Sequence, residues 1–237
     1  MSRIDASRAA LEGALAPYGL RVRGGWVPTG SDPLPSMPDG RAAAVVWMVG
    51  QVGSACWDAF TSSTPFSDGQ DHPMDRWSKS IATPLARQWG GVALFPSDGP
   101  PYLPFARWAS RAEALQTSPL KLQIHAEYGL WHAYRFALAL PVLSDDDAAV
   151  LASAVRWPEP DLCARCEGQP CLLTCPVQAF GKAGYDVPRC AAHLHGLEGQ
   201  DCMSSGCLAR RACPIGAEFR YTPAHAAFHM ASFSRNH

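Results

Sequence analysis

Eight of the nine cysteines in this chain of 237 residues fall between Cys163 and Cys213, and the residues before that stretch hold only Cys56. Spread through a small secreted domain, nine cysteines read as a disulfide framework. Crowded into one stretch of a longer chain, they read as ligands. The N-terminus, Met1 to Tyr18, carries Arg3, Asp5, Arg8 and Glu12 where a secretory signal needs an uninterrupted apolar segment, and no run of 18 apolar residues occurs. A soluble, cytoplasmic protein with no membrane partner is expected. Lys and Arg number 20 against 21 Asp and Glu, for a formal charge of −1. The chain thus lacks the basic surplus that neutralises phosphates, and nucleic acid is not an expected partner. With 47% hydrophobic residues, there is apolar material for one medium core or two small ones, which excludes general disorder.

The block opens as Cys163-Ala-Arg-Cys166, continues through Cys171 and closes on Cys175-Pro176, giving C-x2-C-x4-C-x3-C-P. Close spacing lets three thiolates converge on one iron–sulfur cluster, and in two-cluster ferredoxins the cysteine before proline ligates the other cluster. A second half is therefore required, and Cys190, Cys202, Cys207 and Cys213-Pro214 supply it with the same Cys-Pro ending. Counting ligands assigns Cys163, Cys166, Cys171 and Cys213 to one 4Fe-4S cluster, and Cys175, Cys190, Cys202 and Cys207 to the other. Two four-cysteine zinc sites are the competing reading, with the same ligand number and the same C-x2-C opening. Zinc ribbons, however, pair two C-x2-C knuckles and show no preference for Cys-Pro. The x4 gap before Cys171 and the x4 and x5 gaps of the second half depart from the regular bacterial run. An oxidised cubane with four thiolates carries a charge of about −2, so two of them would take the chain from −1 to roughly −5. Arg165, Arg189, Arg210 and Arg211 lie within a few residues of ligand cysteines, where they can raise a reduction potential or dock an acidic partner.

Upstream, Leu11 and Leu15 mark a short amphipathic helix over Asp5 to Ala16, and Leu20 to Val27 reads as a strand. Four prolines between Pro28 and Gly40 make a loop. Ala42 to Val49 reads as a buried central strand, followed by a turn through Gly53 and a short helix near Ala55 to Phe60. Trp77, Ile81, Leu85 and Trp89 form one helix face that Pro84 should kink or divide, and Phe105 to Leu115 looks helical. Leu130 to Leu140 is the most informative strand. One face is bulky, and the other is shallow with Arg135 as its single cation between Ala133 and Ala137. Asp145 to Arg156 is a helix with acidic residues in its first turn, and Trp157-Pro158-Glu159-Pro160 breaks the chain at a domain boundary.

The cysteine block with its flanks, Cys163 to Gly216, resembles the ferredoxin-like C-terminal module of epoxyqueuosine reductases and the related reductive dehalogenases, which are cobalamin-dependent iron–sulfur reductases. In those families the partnering of cysteines is the one reached above by counting. The segment Leu122-Gln-Ile-His125-Ala-Glu127-Tyr128-Gly129-Leu-Trp131-His132-Ala-Tyr134-Arg135, ending in Leu138-Ala-Leu140-Pro141, is similar to part of the CblC-type cobalamin-processing proteins, whose fold is nitroreductase-like. Ala126 stands where that family has Pro, and Leu130 where it has a second Gly. No Gly-Trp-Ile-Gly-Lys stretch occurs, so the catalytic acid of epoxyqueuosine reductases has no counterpart here.

These readings combine into an α+β protein. A nitroreductase-like α/β sandwich, or cobalamin-processing-like domain, spans residues 1–157, a ferredoxin-like dicluster module spans 158–222, and a tail spans 223–237. Arg135, His125 and Trp131 are the candidate cofactor-binding residues. Arg135 offers a guanidinium to a phosphate, carboxylate or propionamide oxygen, although a buried ion pair is the plain alternative. Tyr128, His132 and Tyr134 are candidate proton donors, against plain packing roles. The expected function is electron transfer through two 4Fe-4S clusters, from a redox partner protein to a corrinoid or, second, a flavin on the N-terminal domain. The corrinoid would be reduced from cob(III) toward cob(II) or cob(I). The alternatives are an electron carrier without a substrate of its own and a zinc-stabilised interaction module.

Overall fold

A computed structural model describes residues 7–153, 161–181 and 184–237. Along the chain run α1 (Arg8–Leu15), β1 (Arg21–Trp26), β2 (Val45–Val52), α2 (Trp57–Thr61), α3 (Thr64–Ser67), α4 (Pro73–Gln88), β3 (Val92–Leu94) and α5 (Phe105–Ala112). Then come β4 (Leu115–Thr117), β5 (Gln123–His125), β6 (His132–Leu140), α6 (Asp145–Ser153), α7 (Pro170–Leu173), β7 (Phe180–Gly181) and β8 (Gly184–Tyr185). The chain closes with α8 (Val187–His195), α9 (Gln200–Ser205), α10 (Leu208–Arg211) and α11 (Pro223–Arg235). The protein is mixed α+β, and no described helix is long and apolar enough to cross a membrane.

The chain forms two compact units, each drawn from several stretches. The first comprises Met1–Gln51, Ala55–Ala114 and Ala133–Arg156; the second comprises Val52–Ser54, Leu115–His132 and Trp157–His237. Residues 154–160, where the sequence placed a boundary, lie outside the described residues. The second unit takes in two stretches from before that point, and residues 223–237, read as a tail, contain α11.

In the first unit the sheet order is β1-β2-β6-β3, with β1 antiparallel to β2 and β3 antiparallel to β6. β2 is buried along its whole length, as its unbroken apolar run requires of a strand covered on both faces. The sheet admits such close packing because glycines stand at the contacts. A Cβ on Gly25 would come within 2.5 Å of the Trp47 ring, and one on Gly50 within 2.0 Å of the Ala133 carbonyl oxygen. The helix over Pro73–Gln88 runs through Pro84 without division. The carbonyl that loses its amide partner belongs to Ser80, which is exposed like Pro84 itself, so water can take the freed acceptor. Buried Asp147, in the first turn of α6, accepts the backbone N–H of Arg8 at 2.9 Å and so supplies a partner to an amide at the start of α1.

In the second unit, β4 and β5 form a hairpin, and the turn after β5 closes with His125 and Gly129 exchanging backbone hydrogen bonds of 2.9 Å. This turn interlocks with the loop after Cys213. A Cβ on Gly129, at φ +55°, would lie 1.9 Å from the Ile215 carbonyl oxygen, and one on Gly216, at φ +67°, 2.3 Å from the Tyr128 carbonyl carbon. Only glycine fits either position. α11 packs against α9 and α8.

Candidate metal centres

All nine cysteines are free thiols. Cys56 belongs to the first unit, is fully buried, and has its thiol pushed up by that burial, with Arg135 opposing. The other eight belong to the second unit, and six of them, Cys163, Cys171, Cys175, Cys190, Cys207 and Cys213, are part of or packed against an apolar core with Leu120, Ile124, Leu130, Ala179 and Ala209. This wall brings residues from the β4–β5 hairpin and its turn to the sulfurs.

The influences among the thiols sort them into two sets. Burial pushes Cys163 up to about 11, with Asp161 and then Cys213, Cys171 and Cys166 adding to the effect. Cys171 is raised by burial, Cys213 and Cys166, and Cys213 by burial and Cys166, with Arg220 pulling the other way. In the second set, burial raises Cys190, with Cys175 and Cys202 adding. Burial also raises Cys202, helped by Asp201 and Cys175 and opposed by Arg211, and it pushes Cys207 up to about 11, with Cys202 and Cys190 adding. These repulsions run within Cys163, Cys166, Cys171 and Cys213, and within Cys175, Cys190, Cys202 and Cys207.

Each set also receives hydrogen bonds at sulfur, a recognised means of tuning thiolate-ligated metal. Cys207 stands at the N-cap position of α10 without a side-chain capping bond, and the nearby amides of Arg210 and Ala209 oppose the rise that burial gives its thiol. Leu208 N–H serves Cys202, Ile215 N–H serves Cys213 and Leu172 N–H serves Cys171. Ala179 N–H reaches Cys175 Sγ at 3.3 Å. Tyr185 donates its hydroxyl to the Cys190 thiol, and its ring stacks on Phe180 at 4.7 Å; burial and this hydrogen bond push the phenol far above its ordinary value. Cysteine spacing says nothing of Tyr185, whose role depends on the β7–β8 hairpin. Among the described residues, no three His, Cys, Asp or Glu side chains converge on one point as the ligands of a single ion do.

The remaining candidates divide between the units. His125, Tyr128, Trp131 and His132 lie in the second, and Tyr134 and Arg135 in the first. His125 Nδ1 accepts the amides of Glu127 and Tyr128 at 3.1 and 3.2 Å, which places its proton on Nε2, and the ring stacks on Tyr128 at 4.4 Å. His132 Nε2 is 3.2 Å from the Gln123 carbonyl oxygen. Trp131 is buried and meets the Tyr221 ring edge-on at 5.5 Å, and the Arg210 guanidinium carbon lies over both rings, 4.5 Å from the Trp131 centre and 4.6 Å from that of Tyr221. Arg210 is therefore a packed cation that also donates to the Leu130 carbonyl at 2.5 Å.

In the first unit, Tyr134 donates its hydroxyl to Glu113, which also receives a two-pronged ion pair from buried Arg23 at 2.9 and 2.7 Å. Burial first, and Glu113 second, hold the Tyr134 proton in place far above the ordinary range. Arg135 donates from Nε to Gln51 Oε1 at 2.8 Å, while Gln51 Nε2 is buried with no hydrogen-bond partner. The cation with the carboxylate partner is thus Arg23, and Arg135 has an amide instead.

Set beside known families and curated proteins, the chain matches no family model and no curated sequence.

Proposed function

We propose that this chain is an iron–sulfur electron-transfer protein, with Cys163, Cys166, Cys171 and Cys213 holding one 4Fe-4S cluster and Cys175, Cys190, Cys202 and Cys207 the other. The observation that carries the reading is the pair of Cys-Pro-ending cysteine runs whose eight thiols are all free in the second unit, six of them packed on one apolar core. A cubane offers a separate iron to each thiolate, so its ligands need not converge as those of one ion must. The donor set fits the group: thiols beside an apolar wall, with amide and phenol donors aimed at sulfur. When bound, such clusters supply one-electron redox chemistry. The chain's own part is to exclude water with Leu120, Ile124 and Leu130, and to direct hydrogen bonds and the charges of Arg211 and Arg220 toward the thiolates.

The proposed recipient of electrons is a corrinoid, with a flavin as second choice, held on a nitroreductase-like first unit, and the proposed donor is a redox partner protein in the cytoplasm. The resemblance of residues 122–141 to cobalamin-processing proteins supports this, and Arg135 is paired with the Gln51 amide rather than with a carboxylate that would neutralise it.

Anaerobic purification followed by metal and sulfide analysis tests the clusters. About eight irons and eight sulfides per chain are expected, with a broad band near about 400 nm that dithionite bleaches. A colourless protein with two zinc ions would overturn the reading. Titration with hydroxocobalamin tests the recipient: a saturable spectral change, lost in Arg135→Ala, is expected, and no change would mark a carrier without a substrate of its own.

A further inference from the structure

Outside the two thiol sets, α11 carries two imidazoles on one face, in the sequence His225-Ala-Ala-Phe-His229. His225 is fully buried, and its ring is stacked on Tyr221 at 4.1 Å with the planes 12° apart. Its Nδ1 lies 3.0 Å from Ser54 Oγ, and the same oxygen accepts the Thr222 backbone N–H at 2.9 Å. A hydroxyl oxygen can accept twice, so the contacts admit the tautomer that chelation requires, in which Ser54 Oγ takes both the Thr222 N–H and the His225 Nδ1–H and His225 Nε2 keeps its lone pair. The Nε2 atoms of His225 and His229 are 3.1 Å apart, with one proton between them.

Imidazole nitrogens bind zinc-class ions at about 2.0–2.1 Å, so two of them on one ion stand about 2.9 Å apart at a right angle and about 3.3 Å apart at a tetrahedral one. The observed 3.1 Å falls between these values. We propose that His225 and His229 chelate one divalent transition-metal ion of the zinc, nickel or copper class, which replaces the shared proton, the His229 ring taking its Nδ1–H form. Ser54 is the positioning residue. It fixes the tautomer of His225 as outer partners of metal-bound histidines do, and Tyr221 clamps the ring. Among the described residues no third His, Cys, Asp or Glu completes the set, so water or an external ligand fills the remaining positions, as in open zinc sites. The site is independent of the iron–sulfur reading, since none of its atoms belongs to a cysteine.

The test is calorimetric titration of the full-length protein with Ni2+, keeping whatever its cysteines already hold, for wild type, His229→Gln and Ser54→Ala. Wild type is expected to bind one more ion per chain than His229→Gln, and Ser54→Ala to bind that ion about tenfold more weakly. His229 is only partly buried, so His229→Gln is preferred over a change at His225. The nickel-edge X-ray absorption spectrum of the wild type decides the matter even where a variant folds poorly. Imidazole nitrogen without sulfur in the first shell supports the site. Equal stoichiometry and affinity in wild type and His229→Gln, or sulfur around the nickel, would overturn it.

Discussion

Arg23 is a charged side chain at 1% exposure, held by Glu113 across 90 residues of sequence and roofed by the Tyr134 ring, whose centre is 5.2 Å from the guanidinium carbon. Removing one member of such a pair strands a charge in the interior, which costs far more than the pair itself contributes. Glu113→Ala should lower the unfolding free energy by about 3 kcal/mol or more, whereas Tyr134→Phe, which deletes one hydrogen bond and keeps the ring, should cost about 1 kcal/mol. Urea denaturation of the full chain, followed by tryptophan fluorescence, separates the two; equal losses would refute the assignment of Arg23 as the stranded charge. Alternation along Leu130–Leu140 was enough to single out Arg135 from sequence, because a period of two is local. The partnership of Arg23 was not legible, because nothing near either residue in sequence announces the other. Tyr185 was hidden for the same reason. On the proposed reading, in which Cys190 holds a cluster, losing this donor should favour the oxidised form, so Tyr185→Phe should move one midpoint negative by on the order of 50 mV, read in a potentiometric EPR titration. An unchanged midpoint would leave Tyr185 a packing residue.

At the scale of elements, the crossing of Gly129 and Gly216 joins the turn after β5 to the loop after Cys213, so the hairpin and the cysteine block form one piece of structure. In Gly129→Ala the new Cβ would sit 1.9 Å from the Ile215 carbonyl oxygen at a positive φ, with backbone on both sides and no flexible side chain to yield. The variant should lose about 3 kcal/mol or more, together with most of its bound iron, whereas Gly30→Ala, with open space around its Cβ, should lose neither. Thermal melting and iron content of the purified variants check this. Elements with a clear period were legible in the sequence: α1, β1, β2, α4 and β6 all lie where apolar spacing put them, within a few residues. The elements around the thiols were not, because cysteines occupy positions that a period would otherwise use, and α7, α9 and α10 are four to six residues long. α11 is a different case. Thr222 as N-cap, followed by Pro223 at the first helical position, is a start signal written in the sequence. The tail expected over 223–237 is instead this helix.

For the whole molecule, the buried thiols tie stability to pH in the metal-free chain. Burial holds Cys207 neutral, raising its pKa from 9.0 to about 11. In the unfolded chain the same thiol ionises at its ordinary value, so its contribution to folding is complete below about pH 9 and is lost as pH rises through about 11. The metal-free protein should therefore need less urea to unfold at pH 10.5 than at pH 8, by an amount that shrinks in Cys207→Ala; a urea midpoint flat across this window in the parent chain would contradict the burial of that thiol.

The two units share one thread that passes between them five times, since the second takes Val52–Ser54 and Leu115–His132 out of the first before the chain reaches its cysteines. A cut near residue 157 would leave Leu120, Ile124 and Leu130, the dry wall beside the sulfurs, on the wrong fragment. A peptide of the cysteine block alone would carry all eight thiols and lack the apolar residues that six of them pack with. The block expressed alone should therefore fail to fold as a free-standing unit. Any gene fusion or truncation that preserves the second unit has to keep Val52–Ser54 and Leu115–His132 together with the stretch from Trp157 onward.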